Sequence, residues 1–143
     1  MRTTAAKRQK EAHLDPGTHA HVDRAARGRA GEQAAASYLS GRGYRVLAAN
    51  QRTPLGELDL VCRMGPQVVI VEVKARCSEA YGAGLEAIGP RKTRRLRAAA
   101  LWWLSDRGLL PCQVRFDAVI VLLDGCGLPS SLEHVKDVIG GGV

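Results

Sequence analysis

No two cysteines in this chain sit at C-x-x-C spacing. The four present, Cys62, Cys77, Cys112 and Cys126, match no zinc pattern. Nothing supports disulfides, and a reducing cytoplasm is the simpler setting. Cys62 and Cys126 lie in or beside apolar runs and read as small buried hydrophobes. No apolar stretch approaches the roughly 18 residues of a membrane span. The polar N-terminus carries no signal-peptide pattern, and no internal repeat is present. These absences argue against a zinc module, a helical membrane protein and a repeat array. They leave a cytoplasmic globular protein as the expectation.

Negative charge is also scarce. There are 14 acidic residues against 21 basic ones, for a net charge of +7. The sequence pI is about 9.7. That balance fits a polyanionic partner, nucleic acid first. A solvated basic surface in an arginine- and alanine-rich chain fits it equally. What is present in ordinary amount is apolar residue, 45% of 143. A chain of that length buries a core without staples and suggests one domain.

Residues 1–22 are polar and aperiodic and read as a disordered tail, which leaves 23–143 as the domain. Asp23 is placed to cap a helix that Gly41 to Gly43 ends. Gly31, Ala34, Ala35 and Tyr38 share one face of that helix. Glu32 sits at the edge of the packed face, looking inward. Tyr44 to Arg52 alternates as a strand does, and TPLG makes a turn. GELDLVCR follows, with Leu58 and Leu60 on one face and Glu57, Asp59 and Val61 on the other. MGPQ is a hairpin connection to VVIVEVKAR. A glycine-rich loop comes next, whose Tyr81 reaches substrate if the loop moves. A helix runs from Pro90 to Gly108. VRFDAVIVLLDG is apolar from Ala118 to Leu123 and reads as a central strand. SLEHVKDVI is a short helix or a strand. The order is α-β-β-β-α-β.

The informative stretch is VVIVEVKAR, Val68 to Arg76. A carboxylate within a run of valines needs a partner, a metal or a function. Glu72 and Lys74 are two apart and share a strand face. If the hairpin folds as read, Asp59 on the preceding strand lies close to Glu72. Two carboxylates so close repel, and a divalent cation between them removes the repulsion. Magnesium suits such a pair, because it takes one or two carboxylates with waters and phosphate oxygens. An ammonium from Lys74 then serves to orient water or to stabilise developing charge. The competing reading is a plain ion pair between Glu72 and Lys74 on a half-exposed sheet. Glu57, two before Asp59, is either a second acidic contributor or an exposed strand start.

GEQAAASYL, NQRTPLGELDLV, VVIVEVKAR and RFDAVIV, in that order, resemble the YraN family of small, mostly uncharacterised bacterial proteins. That family is similar to archaeal Holliday junction resolvases. The resemblance spans about residues 28–137. It implies an α/β, restriction-endonuclease-like αβββαβ core, with a central mixed sheet flanked by helices. It further implies a PD-(D/E)xK site in which Asp59, Glu72 and Lys74 match the central positions. Glu32 matches a glutamate on the first helix. Asp59, Glu72 and Glu32 are then the expected ligands for Mg²⁺ or Mn²⁺. The Pro-Asp that names the superfamily is absent, since Asp59 stands in GELD. By the same analogy a two-fold homodimer is expected.

The second helix opens with Arg91, Lys92, Arg94, Arg95 and Arg97. Cations there oppose the helix dipole, and an anion relieves the conflict. Arg91, Lys92 and Arg95 fall on one arc, opposite an apolar stripe of Leu96, Ala100, Trp103 and Leu104. With Arg52 and Arg76 they are the expected nucleic-acid contacts. Trp102 stacks on a base, joins a dimer or is partly buried. Asp117 either supports the site or pairs with Arg115. The function expected is metal-dependent hydrolysis of phosphodiester bonds in structured or branched DNA. The alternative is nucleic-acid binding without catalysis on the same fold. A third reading, a protein–protein adaptor, uses the tail and Trp102.

Overall fold

Val68 to Val71 are four consecutive residues with no exposed surface, so the strand they build must be covered on both faces. The computed structural model describes residues 16–77 and 89–139. Most of the expected tail, and the loop around Tyr81, lie outside the described residues. The elements are α1 (Pro16–Gly41), β1 (Arg45–Thr53), β2 (Gly56–Met64), β3 (Gln67–Cys77), α2 (Pro90–Asp106), β4 (Gln113–Leu123) and β5 (Pro129–Val135). They form one five-stranded sheet in the order β1-β2-β3-β4-β5. The β3–β4 pair is parallel and the others are antiparallel. The parallel pair requires a crossover, and α2 lies within that connection.

The two helices sit on opposite faces. Ala35 and Leu39 of α1 pack with Leu60, Val69, Val71, Val119 and Val121. Leu96, Ala100, Trp103 and Leu104 of α2 pack with Leu58, Val61, Val68, Ile70 and Phe116. At Gly31 the helix comes so close to β3 that an added Cβ would lie 2.9 Å from the Ala75 Cβ. Any side chain there would push α1 off the sheet. The layers are those of a restriction-endonuclease-like αβββαβ core, with β5 added at the edge.

Several details differ from the sequence expectations. Helix α1 begins at Pro16, so Asp23 falls inside it rather than at its cap. Of SLEHVKDVI, the first five residues belong to β5, antiparallel to β4, and Lys136 to Ile139 follow the strand's end. Cys62 is buried as expected, but Cys126 is exposed in the turn before β5. There its amide bonds Asp124 Oδ1 at 2.9 Å. A polar turn, not the adjacent apolar run, sets its environment. All four cysteines are free. Leu58 and Leu60 do not share a face: Leu58 joins the α2-side core and Leu60 the α1-side core. The reason lies in how β2 leaves β3, which also makes the site.

Candidate active site

The β2–β3 ladder runs from Met64↔Gln67 to Leu60↔Val71 and then stops. One more step of that register sets Asp59 against Glu72. There the strands part, and the Val73 amide donates to Asp59 Oδ2 at 2.8 Å. In this splayed stretch Leu58 and Asp59 both reach the α2 side, which breaks strict alternation. Asp59 and Glu72 then line one pocket of about 310 Å³ with Gly56, Glu57, Lys92, Arg95 and Leu96. Gly56 has a φ of +144°, and an added Cβ would lie 3.1 Å from Arg95 Cγ. A bare glycine thus lets the arginine stem close the pocket wall.

The Glu72 side chain is only 7% exposed and carries two ammonium partners. Lys74 Nζ lies 3.4 Å from its Oε2, and Lys92 Nζ lies 2.9 Å from the same oxygen. The hydrogen bond to Glu72 raises the Lys92 pKa against the opposing effect of burial. Asp59 has the opposite problem. Burial, then the charges of Glu72 and Glu32, push its carboxyl up to about 7 from 3.8, against the pull of the Val73 amide and Lys92. The carboxylates therefore form a frustrated pair, one neutralised by lysines and the other prone to hold a proton.

Asp59, Glu72, Lys92 and Arg95 line this pocket, and Lys74 pairs with Glu72 beside it. Asp59, Glu72 and Lys74 come together as read. Glu32 is near enough for its charge to raise Asp59, but it lines a separate depression with Arg29, Gln33 and Asn50. Glu57 sits at the pocket rim, paired with the exposed Arg52 at 3.4 Å. Arg76 shares the strand face of Glu72 and Lys74, and its Nη1 bonds the Ala75 carbonyl at 3.2 Å. Arg91 and Arg95 are exposed on the first turns of α2, where no acidic residue offsets the helix dipole. Trp103 is core, with Nε1 donating to Gln51 Oε1 at 2.9 Å. Trp102 lies on the outer face of α2, 36% exposed.

The role of Lys92 was not visible as such in the sequence. It read as a phosphate contact on a basic helix, yet it holds the shortest bond to the central glutamate. The packing of α2 on β3 is long-range and leaves no local trace. One signal does exist. The chain has 16 arginines and five lysines, and two of the five meet at Glu72. Asp117 belongs elsewhere. It is buried on the α1 face, where Arg115 grips both its oxygens at 2.8 Å. His134 Nε2 lies 2.8 Å from Oδ2, and the Asp137 amide donates to Oδ1 at 2.9 Å. Burial acts to raise its pKa, but these donors hold it below the usual carboxylate value.

Among the described residues, no three His, Cys, Asp or Glu side chains gather as a metal cage. The oxygen donors at the pocket are the carboxylates of Asp59 and Glu72, with Glu57 at the rim. Such a set suits a hard cation that keeps waters, not zinc.

The fold and this acidic–basic pocket define the class first: an α/β protein with a restriction-endonuclease-like core. The family model of "Uncharacterised protein family UPF0102" matches residues 31–121. The chain belongs to that family, in keeping with its resemblance to the YraN proteins. It is 42% identical over 115 residues to a UPF0102 protein of Moorella thermoacetica, covering 80% of this chain and 96% of the relative. A UPF0102 protein of Pelotomaculum thermopropionicum is 46% identical over 110 residues, 77% of this chain and 92% of its own. One from Anaeromyxobacter dehalogenans is 47% identical over 118 residues, covering 82% and 87%. Among the described residues no helix is long and apolar enough to cross a membrane.

Proposed function

We propose that this protein is a metal-dependent endonuclease that hydrolyses phosphodiester bonds in structured or branched DNA. One observation carries the reading: Asp59 and Glu72 line a single pocket, and the Asp59 carboxylate has one hydrogen-bond donor, the Val73 amide, with its pKa pushed up by burial and by Glu72. A divalent cation of the Mg²⁺ or Mn²⁺ type fits the oxygen donors of both. When bound, such an ion polarises a phosphate oxygen and lowers the pKa of bound water.

The protein's own groups supply the rest. Asp59 and Glu72 hold the ion, and Glu32 adds negative charge from α1. Lys74, fixed on β3 beside Glu72, orients the attacking water through its ammonium and stabilises charge developing on the phosphate. Arg91, Lys92 and Arg95 bring phosphate to the N-terminus of α2, where the dipole favours an anion. Arg52 at the pocket rim and Arg76 farther along β3 extend the cationic track. The reading includes a two-fold homodimer, so that two pockets address two strands.

The test is a cleavage assay on linear, flapped and four-way DNA with Mg²⁺. The expected result is metal-dependent cutting that Glu72→Ala lowers by about 10³-fold while DNA binding persists. A second reading has its own observation. Glu72 is already paired with two lysines, as a purely structural ion cluster would be. DNA binding with no metal-dependent cleavage of any form selects that non-catalytic reading.

A further inference from the structure

Glu72 Oε2 has two cations on one oxygen, and they are not equivalent. Lys74 stands on β3 and its side chain is 16% exposed. Lys92 stands on the first turn of α2, is 39% exposed, and holds the shorter contact at 2.9 Å. It lines the Asp59–Glu72 pocket together with Arg95. An ammonium and a divalent ion cannot share one carboxylate oxygen without strong repulsion at that range. Metal loading at Glu72 therefore favours departure of one ammonium, and the more exposed of the two lysines is Lys92.

We propose that Lys92 is a tethered cation standing in the metal's place, exchanged for the metal when the site loads and freed to grip the phosphate at the pocket mouth. Without metal, the exchangeable ammonium keeps the buried Glu72 compensated, which an empty pocket alone does not. With metal, the same ammonium turns toward the exposed Arg91 and Arg95, where substrate phosphate arrives. Lys92 is therefore a positioning residue in the metal-free protein and a substrate contact in the loaded one. The use of the freed ammonium rests on the nuclease reading. The exchange itself rests only on metal binding.

The experiment is Mn²⁺ titration by calorimetry on the full chain and its variants. Lys92→Gln removes the competitor, so Mn²⁺ binds about tenfold tighter, a typical coupling between exclusive ligands. Arg95→Gln removes a charge from the same pocket without freeing Glu72, so it shifts affinity far less. Lys92→Arg, a guard against a Gln variant that does not fold, offers a two-pronged grip on the carboxylate and weakens Mn²⁺ binding. Equal affinity in wild type and Lys92→Gln, or an equal gain in Arg95→Gln, overturns the exchange. So does Mn²⁺ binding that survives Glu72→Gln, or no Mn²⁺ binding at all. A protein that shows the exchange yet cuts no DNA sinks the nuclease reading and leaves the exchange standing.

Discussion

Two buried acidic centres lie on opposite faces of the same sheet, and they are built in opposite ways. On the α1 face, Asp117 is fully buried and has a donor for each need: a two-pronged arginine, a histidine and a backbone amide. Its pKa is held low. On the α2 face, Asp59 has one amide and faces Glu72, and its pKa is pushed up to about 7. The sheet can satisfy a buried carboxylate, since it does so at Asp117. Leaving Asp59 with one donor beside a second carboxylate, in a pocket, marks that face as the place where something is added. Asp117 is then a structural tie, joining β4, β5 and the chain after it.

The contrast can be broken most sharply by exchanging the two sites' roles in mutants. Glu72→Ala should lower metal-dependent DNA cleavage by about 10³-fold, the worth of several kcal/mol of lost charge stabilisation. Undiminished cutting would move the chemistry off the α2 face. Asp117→Asn should leave Mn²⁺ affinity unchanged but destabilise the fold by about 3–5 kcal/mol, because Arg115 loses its buried partner. Urea unfolding measures that loss. A stable Asp117→Asn protein with weakened metal binding would erase the distinction.

Proton linkage sharpens the same contrast. Asp59 binds its proton more tightly folded, near 7, than unfolded, at 3.8. The folded state then holds more protons than the unfolded one between those values. The stability Asp59 contributes is present at low pH and is lost as pH rises from about 4 through about 7. The melting temperature of the metal-free protein should therefore fall over that window, and Asp59→Asn should flatten the fall. Asp117, held low, contributes stability that is lost only when pH falls through its folded pKa. Opposite slopes on the two sides of about pH 4 are the signature. The smallest effects belong to the rim. Arg91→Ala and Arg95→Ala should each reduce the salt slope of DNA affinity by about one, as for a lost phosphate contact.

Much of this was legible in the sequence because it is local. The hairpin turn at MGPQ fixes the β2–β3 register, so the approach of Asp59 to Glu72 follows from spacing. The stripe of Leu96, Ala100, Trp103 and Leu104 announced the buried face of α2, and all four are at most 4% exposed. What stayed hidden depends on contacts distant in sequence. The splay of β2 beyond Leu60 sends Leu58 and Asp59 to one side, which no period-two pattern encodes. Lys92 meets Glu72 only after α2 docks on β3. His134 closes on Asp117 from a strand that the sequence left ambiguous. Glu32 reads from the sequence as a direct member of the site, yet it lines a separate depression and acts on Asp59 through charge.

The most direct check is anomalous diffraction from crystals soaked in Mn²⁺. A single peak touching carboxylate oxygens of both Asp59 and Glu72, with Lys92 Nζ withdrawn from Glu72, is the expected result. A pocket that stays free of metal at saturating Mn²⁺, with Lys92 still on Glu72, would contradict it.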